Sequence, residues 1–408
     1  MKIVKKQVAF FFAIAVGVAV LFFLATRSND GTRREDRAAV VSNEPTSDSL
    51  RANVIPTALD VAYYGKLSPA EKAKMRMIWS ERYDVATEQL NHYKDLTRYP
   101  HHSRPASDAA DQIYPFATVE SKAPMRNSSN QVVEGVNVVI TQDRIFLNDA
   151  ESVLITLKAT QKSGEPLPVT VVSSQMIASA DSSVGALPTP ARVNFDDSGP
   201  ATSSGADAVA GDGVYSARFT PRTQGFGSYR GTIRLHLSYL ANGKEGKIYS
   251  DVIYTPGSPG SWGGIREVLE NGSLSLYLKV KVNTPGRFVA AGLLDDANGK
   301  PYALLRFNEE LAEGDQEIKL QLFGALVHDK LPKFPLSLRD VNAFLLLPDV
   351  NPDRALLPRR SGVVHVTRGY SAADFSDQEW TSDERERYLA QYGRAVDTSL
   401  NHLSVLNQ

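Results

Sequence analysis

Ser228–Leu240, SYRGTIRLHLSYL, carries the period that decides the fold. Successive side chains of an extended chain point to opposite faces, so Ile233, Leu235, Leu237 and Tyr239 share one side. Thr232, Arg234, His236 and Ser238 take the other. One apolar and one wet face is the pattern of a strand in an antiparallel sheet that covers a core. The neighbouring segments have the same character: VVEGVNVVI, SVLITLKAT, PVTVVSSQMI and ARVNF before it, then VYSARFTP, and KIYSDVIYT after it. All are rich in β-branched and aromatic residues and are separated by Gly, Pro, Asp and Asn clusters.

About seven such strands within 132–256 fit an immunoglobulin-like β-sandwich. Pro256–Gly264, PGSPGSWGG, reads as a hinge-like boundary. Beyond it a second series begins with IREVLE and SLSLYLKVKV and closes with GVVHVTRGY, filling 257–370. There Leu274, Leu276, Leu278, Val280 and Val282 alternate with Ser275, Tyr277, Lys279 and Lys281. Asn271-Gly272 and Asn298-Gly299 signal hairpin turns. The expected fold class is therefore mainly β, two tandem immunoglobulin-like sandwiches, with helices at both ends.

The N-terminal part reads differently. Val8–Ala25 is eighteen apolar residues without a charge, flanked by Lys2, Lys5 and Lys6 and by Arg27. At helical rise it reaches roughly 27 Å, close to the hydrocarbon thickness of a bilayer. Phe22, Phe23 and Arg27 suit a signal peptidase poorly, so an uncleaved transmembrane anchor is favoured over a cleaved signal. Lys and Arg are nearly balanced across the span; the short leading tail favours a cytoplasmic N-terminus for 1–27. Residues 28–56 are polar and aperiodic, a flexible stalk of about 30 Å reach.

Residues 57–131 are expected as a helical segment and an extended strap lying across the first sandwich. Ser68-Pro69-Ala70-Glu71 forms a capping box, and Met75, Ile78, Trp79, Ala86, Leu90 and Tyr93 make one apolar face. The helix is expected to end near Thr97, ahead of Tyr99-Pro100. Residues 371–408 form a helical tail, in which Thr381-Ser382-Asp383-Glu384 opens a short charged helix that Gly393 closes.

Composition limits what this architecture does. A formal net charge of −1 argues against a nucleic-acid partner. The absence of cysteine removes disulfides, thiolate metal sites and cysteine nucleophiles together. No metalloprotease H-E-x-x-H, P-loop, dinucleotide fingerprint or G-x-S-x-G elbow occurs, and the seven histidines are scattered. No catalytic residue is nominated. These features point to a bacterial inner-membrane protein with one span and its bulk in the periplasm. Its expected role is non-enzymatic, binding another envelope or membrane protein.

One run stands apart: Asn194–Pro221, NFDDSGPATSSGADAVAGDGVYSARFTP. It reads as a turn rich in Asx and glycine chemistry, with Asp212 and Tyr215 spaced as in a tyrosine corner. It also reads as a calcium site, since Asp196, Asp197, Asp207 and Asp212 offer hard oxygen ligands, although not at EF-hand spacing. A catalytic carboxylate pair is a third reading. The alternative function is thus a calcium- or glycan-binding adhesion module, with Trp262 and Tyr277 as sugar-stacking aromatics.

The stretch GADAVAGDGVYSARFTP resembles the G-D-x-x-A-G-D-G-x-Y signature of bacterial extracytoplasmic Ig-like domains found in choice-of-anchor X proteins, with Ala206 inserted between Gly205 and Asp207. Gly299–Tyr302, Thr367, Tyr370 and Phe375 add family-like features, whereas Phe334–Leu338 departs from the usual G-P-Y-x-L. The resemblance covers about 95–375 and implies an envelope Ig-like protein without implying a reaction.

Overall fold

The alternation in Ser228–Leu240 becomes one layer of a two-layer core in a computed structural model that describes residues 58–179, 187–200 and 206–408. The chain starts with two helices, α1 (Ala58–Gly65) and α2 (Pro69–Leu96). Ser68 caps α2: its hydroxyl accepts from the Glu71 N–H while the Glu71 carboxylate accepts from the Ser68 N–H, and Thr97 closes the other end. A short β1 (Ser103–Pro105) and a 3-10 turn (Ala106–Gln112) follow.

The first β region comprises β2 (Val119–Arg126), β3 (Val132–Gln142), β4 (Phe146–Leu147), β5 (Val153–Gln161), β6 (Pro166–Leu167) and β7 (Val169–Ala178). It continues with β8 (Ala191–Arg192), β9 (Tyr215–Phe219), β10 (Gly231–Ala241) and β11 (Lys244–Tyr254). Strands β2-β3-β5-β6, with β9 on β5, form one sheet, and β4-β11-β10-β7-β8 form another. Between them lies one core. Ile233, Leu235, Leu237 and Tyr239 enter it from β10 and are at most 1% exposed. Val153, Ile155 and Leu157 meet them from β5.

The second region comprises β12 (Gly260–Glu270), β13 (Ser273–Val282), β14 (Gly286–Asp295), β15 (Pro301–Leu311) and β16 (Gly314–Leu322). A one-turn-and-more helix α3 (Gly324–Lys330) precedes β17 (Ser337–Leu346), β18 (Arg354–Leu356) and β19 (Arg360–Val366). Here β12-β13-β16 faces the six-stranded sheet β1-β15-β14-β17-β18, in which β19 also pairs with β17. Leu274, Leu276, Leu278, Val280 and Val282 all point into this second core. Ser275, expected on the wet face, is fully buried, with its hydroxyl accepting from Gln321 at 3.2 Å. Both Asn-Gly sites lie in hairpin turns: Asn271 and Gly272 have φ of 48° and 67°, the doubly positive pair of a tight hairpin, whereas at the second only Gly299 is positive, at 75°.

Four expectations are corrected. Strands begin at Val119, inside the segment read as helix and strap, because β2 adds to β3 with Lys122 and Pro124 on an exposed edge. The strap divides between the two cores: Tyr99 is buried in the second and β1 pairs antiparallel with β15, while Met125 of β2 is buried in the first. The C-terminal helix, α4 (Asp383–Leu406), is 24 residues long, runs through Gly393 and packs along α2. Tyr93 against Tyr388 and Tyr392, and Arg385 donating to Thr97, show why: the partner's surface supports it where propensity alone does not. Finally, Pro256–Gly264 is bonded and is no free hinge. Thr255 donates to the Arg354 carbonyl, and Ser258 to that of Leu356. Arg354 lies 5.2 Å from the ring centre of Phe146 and 4.9 Å from that of Phe344, one from each β region.

The apolar span 8–25 and the stalk 28–56 lie outside the described residues. Among the described residues no helix is long and apolar enough to cross a membrane.

Candidate functional site

Of the four aspartates singled out in the sequence, three converge. One carboxylate oxygen from each of Asp197, Asp207 and Asp212 lies within 4.8 Å of the others. Asp196 stands outside the cluster: its backbone forms a two-way bridge with Ser216 that sets the entrance to β9.

The local chain explains the convergence. Gly211 and Gly213 both take positive φ, 74° and 80°, which L side chains rarely adopt. That conformation turns three successive N–H groups toward one carboxylate. The N–H groups of Gly211 and Asp212 donate to Asp197 Oδ1 at 2.8 and 3.2 Å, and that of Gly213 to Oδ2 at 3.0 Å. Asp212 closes its own Asx turn by accepting from the Val214 N–H. Asp207, 3% exposed, accepts from the Gly199 N–H at 2.6 Å and from the Ser216 hydroxyl at 3.2 Å. Backbone donors thus satisfy much of the demand, which is what a structural turn requires. Three formal negative charges nevertheless gather, and among the described residues no Lys or Arg makes an ion pair with any of them. A hard cation that takes oxygen ligands suits such a set. The tyrosine hydroxyl that returns to backbone belongs to Tyr229, at the opposite end of β7, where it donates toward the Ser179 and Thr232 carbonyls, and not to Tyr215.

The two aromatics read as a sugar platform do not form one. Trp262 pairs with Val280 and Arg266 with Tyr277 across β12 and β13, and a bulge separates the pairs. Trp262 therefore packs on the second core, with its indole N–H on the Pro358 carbonyl, while Tyr277 faces outward. The Arg266 guanidinium sits 3.8 Å from the Tyr277 ring centre and already takes that ring's face.

Two polar clusters escaped the sequence reading. Glu267 on β12 gathers the chain that leaves β19. Its Oε1 accepts from the Arg368 N–H at 3.0 Å, the Arg368 guanidinium at 2.8 Å and the Tyr370 hydroxyl at 3.1 Å. Its Oε2 lies 2.9 Å from His365 Nε2. Burial pushes this carboxyl up, but the four partners outweigh burial and hold it at about 2. The cluster ties β12 of one sheet to β19 and the chain beyond it, a clasp between the two sheets. Its signal lies in the closing run His365-x-Thr367-Arg368-x-Tyr370. The other cluster joins Tyr64, Trp79 and His402, residues 338 apart at the extremes. Nothing in local periodicity brings these together.

No family model and no curated protein matches the chain. Among solved structures it is similar to a DUF4785 family protein from Legionella pneumophila, at 11% identity and a TM-score of 0.38, over 57% of each chain. Titin domains A168–A170 match at 9% identity, over 60% of this chain and 82% of that one, with a TM-score of 0.17. The latent PorU of Porphyromonas gingivalis matches at 11% identity over 61% and 33%, with a TM-score of 0.16. Likenesses this distant carry no argument about function. The resemblance to choice-of-anchor X domains rests on its turn motifs alone.

Proposed function

We propose that this chain is a non-enzymatic, membrane-anchored envelope protein. Its two β regions, 132–256 and 257–370, act as tandem Ig-like domains that present an interaction surface to another envelope protein. The observation that carries this reading is the state of α2. Of its 28 residues only Ala86 is buried, because α4 supports it on one side and leaves the other open. Met77 and Val85 are exposed at 67% and 48%, beside a shallow groove of about 360 Å³ lined by Ile78, Glu81, Arg82, Val85, Ala86 and Gln89. A long helix half covered by its own chain is suited to a partner's helix.

The test is photo-crosslinking in cells from a reactive residue placed at Val85, with one at Val172 on the outer face of β7 as control. A single envelope protein captured from Val85 and absent from Val172 supports the reading. No capture from Val85, or equal capture from both, refutes it. Protease added to spheroplasts tests the topology separately: survival of the β regions rules out the periplasmic placement.

The convergence of Asp197, Asp207 and Asp212 favours calcium binding as a second reading. A ligand held only by the folded chain raises its stability. A melting temperature unmoved by millimolar calcium removes that reading.

A further inference from the structure

We propose that the junction of α1, α2 and α4 is a pH-operated latch, in which protonation of His402 releases α1 from the helix pair. His402 lies on α4 and is 4% exposed. Its ring stacks on the Trp79 indole of α2, with centroids 3.9 Å apart and planes 7° from parallel. Tyr64 of α1 completes the group: it is equally buried and meets the imidazole edge-on. Val61 and Tyr63 are exposed, and among the described side chains of α1 Tyr64 is the buried one that joins it to the pair.

One arrangement of protons satisfies every donor at the junction. The Trp79 indole is a donor only, and it donates to the Tyr64 hydroxyl at 2.9 Å. The single hydroxyl proton of Tyr64 is then left for His402 Nδ1, also at 2.9 Å. This chain is complete when Nδ1 is a bare acceptor, in the neutral imidazole. Adding a proton to Nδ1 sets donor against donor and strands the Tyr64 proton inside the junction. A buried polar group without a partner is costly.

The charged surroundings oppose one another. From α1, Asp60 favours an imidazolium, and burial raises the pKa of the Tyr64 hydroxyl, which stays protonated. From α2, Arg82 disfavours it, with its guanidinium 4.6 Å from the Trp79 ring centre, so the indole that would welcome a cation is already shared. Arg76, also on α2, donates to the Leu406 carbonyl one turn beyond His402. Burial is the largest influence and lowers the pKa of His402 from 6.5.

The sign follows from linkage. A released histidine titrates near 6.5, while the docked one binds its proton only at lower pH. The released state therefore holds more protons, and release is favoured as pH falls below 6.5. One proton makes the opening equilibrium steeper by up to about tenfold per pH unit, levelling off once the docked group is itself protonated. Release lengthens the tether, because α1 and the turn at 66–68 join residues 1–57 to the body. The inference stands whether or not those residues anchor the chain.

The experiment uses the full chain with Trp262→Phe and Trp380→Phe, so that Trp79 alone reports. Its emission is followed from pH 8 to pH 4.5, and hydrogen exchange of the 58–65 peptide, corrected for intrinsic rate, is measured over the same range. The expected result is a one-proton transition with its midpoint below 6.5, matched by faster exchange in α1. His402→Gln is expected to abolish the transition, and Tyr64→Phe to move its midpoint upward. A flat response, a transition unaltered by His402→Gln, or α1 exchange indifferent to pH overturns the proposal. If His402→Gln does not fold, an unmoved midpoint in Tyr64→Phe overturns it alone.

Discussion

Replacing Glu267 by glutamine keeps the shape of the clasp between the two sheets of the second core and removes its charge. The amide oxygen can occupy the place of Oε1 and still accept from Arg368 and Tyr370, while the amide nitrogen faces His365. What is lost is the strengthening that an ionised acceptor gives its donors. A carboxyl held at about 2 instead of 4.5 corresponds to about 3 kcal/mol in favour of the ionised, bonded form. Arg368 is largely in water, its side chain 72% exposed, so screening reduces the net effect to about 1–2 kcal/mol. The direction with pH is fixed: the folded pKa lies below the unfolded one. The stabilisation is complete above about 4.5 and is lost as pH falls toward 2. Urea unfolding of the second core, read by Trp262 in a background lacking Trp79 and Trp380, measures it. At pH 7 Glu267→Gln should lower the transition midpoint, and near pH 2 it should coincide with the parent. Equal midpoints at pH 7, or a difference that persists at pH 2, would show that the clasp does not act through charge.

Three further outcomes follow from the packing. Leu276→Ala, at a fully buried position on β13, should cost about 2–5 kcal/mol by chemical denaturation, through lost transfer energy and the cavity left behind. Gly324→Ala should destabilise by about 1–3 kcal/mol, because a Cβ there would press on the Gly272 carbonyl and stand 2.6 Å from that of Ser376, both backbone atoms; thermal unfolding reports it. Ser68→Ala removes one half of the capping box of α2 and should cost about 1 kcal/mol, visible as faster amide exchange confined to the first turn.

How much of this was legible in the sequence depended on distance along the chain. Alternation in β10 and β13 identified the core faces, since period two is a local property and burial of one face enforces it. The capping box at Ser68 and the two Asn-Gly turns were readable for the same reason: each involves a few consecutive residues. The acidic run announced a turn rich in Asx and glycine chemistry, but not that Asp197 is the carboxylate its backbone wraps. That Asp207 joins while Asp196 does not depends on strand β9, which periodicity does not place. Ser275 read as wet because its neighbours alternate, and Gln321, 46 residues away, decided otherwise. Only the later half of the strap, β2, lies on the first core as expected; its beginning docks on the second, because Tyr99 meets residues some two hundred positions downstream. Tail helix α4 looked short because Gly393 is a poor helix former, and packing against α2 overrode propensity.

The meeting of Tyr64 and Trp79 with His402 has a mechanical meaning. Both β regions hang as a single large loop between helices that grip each other, and Arg76 reinforces the grip at Leu406. A cut in any surface turn of that loop leaves two fragments still fastened at their outer ends. A pull applied through residues 1–57 reaches the helix clasp before any strand is loaded in shear. The sheets are thus shielded from such tension for as long as that joint holds.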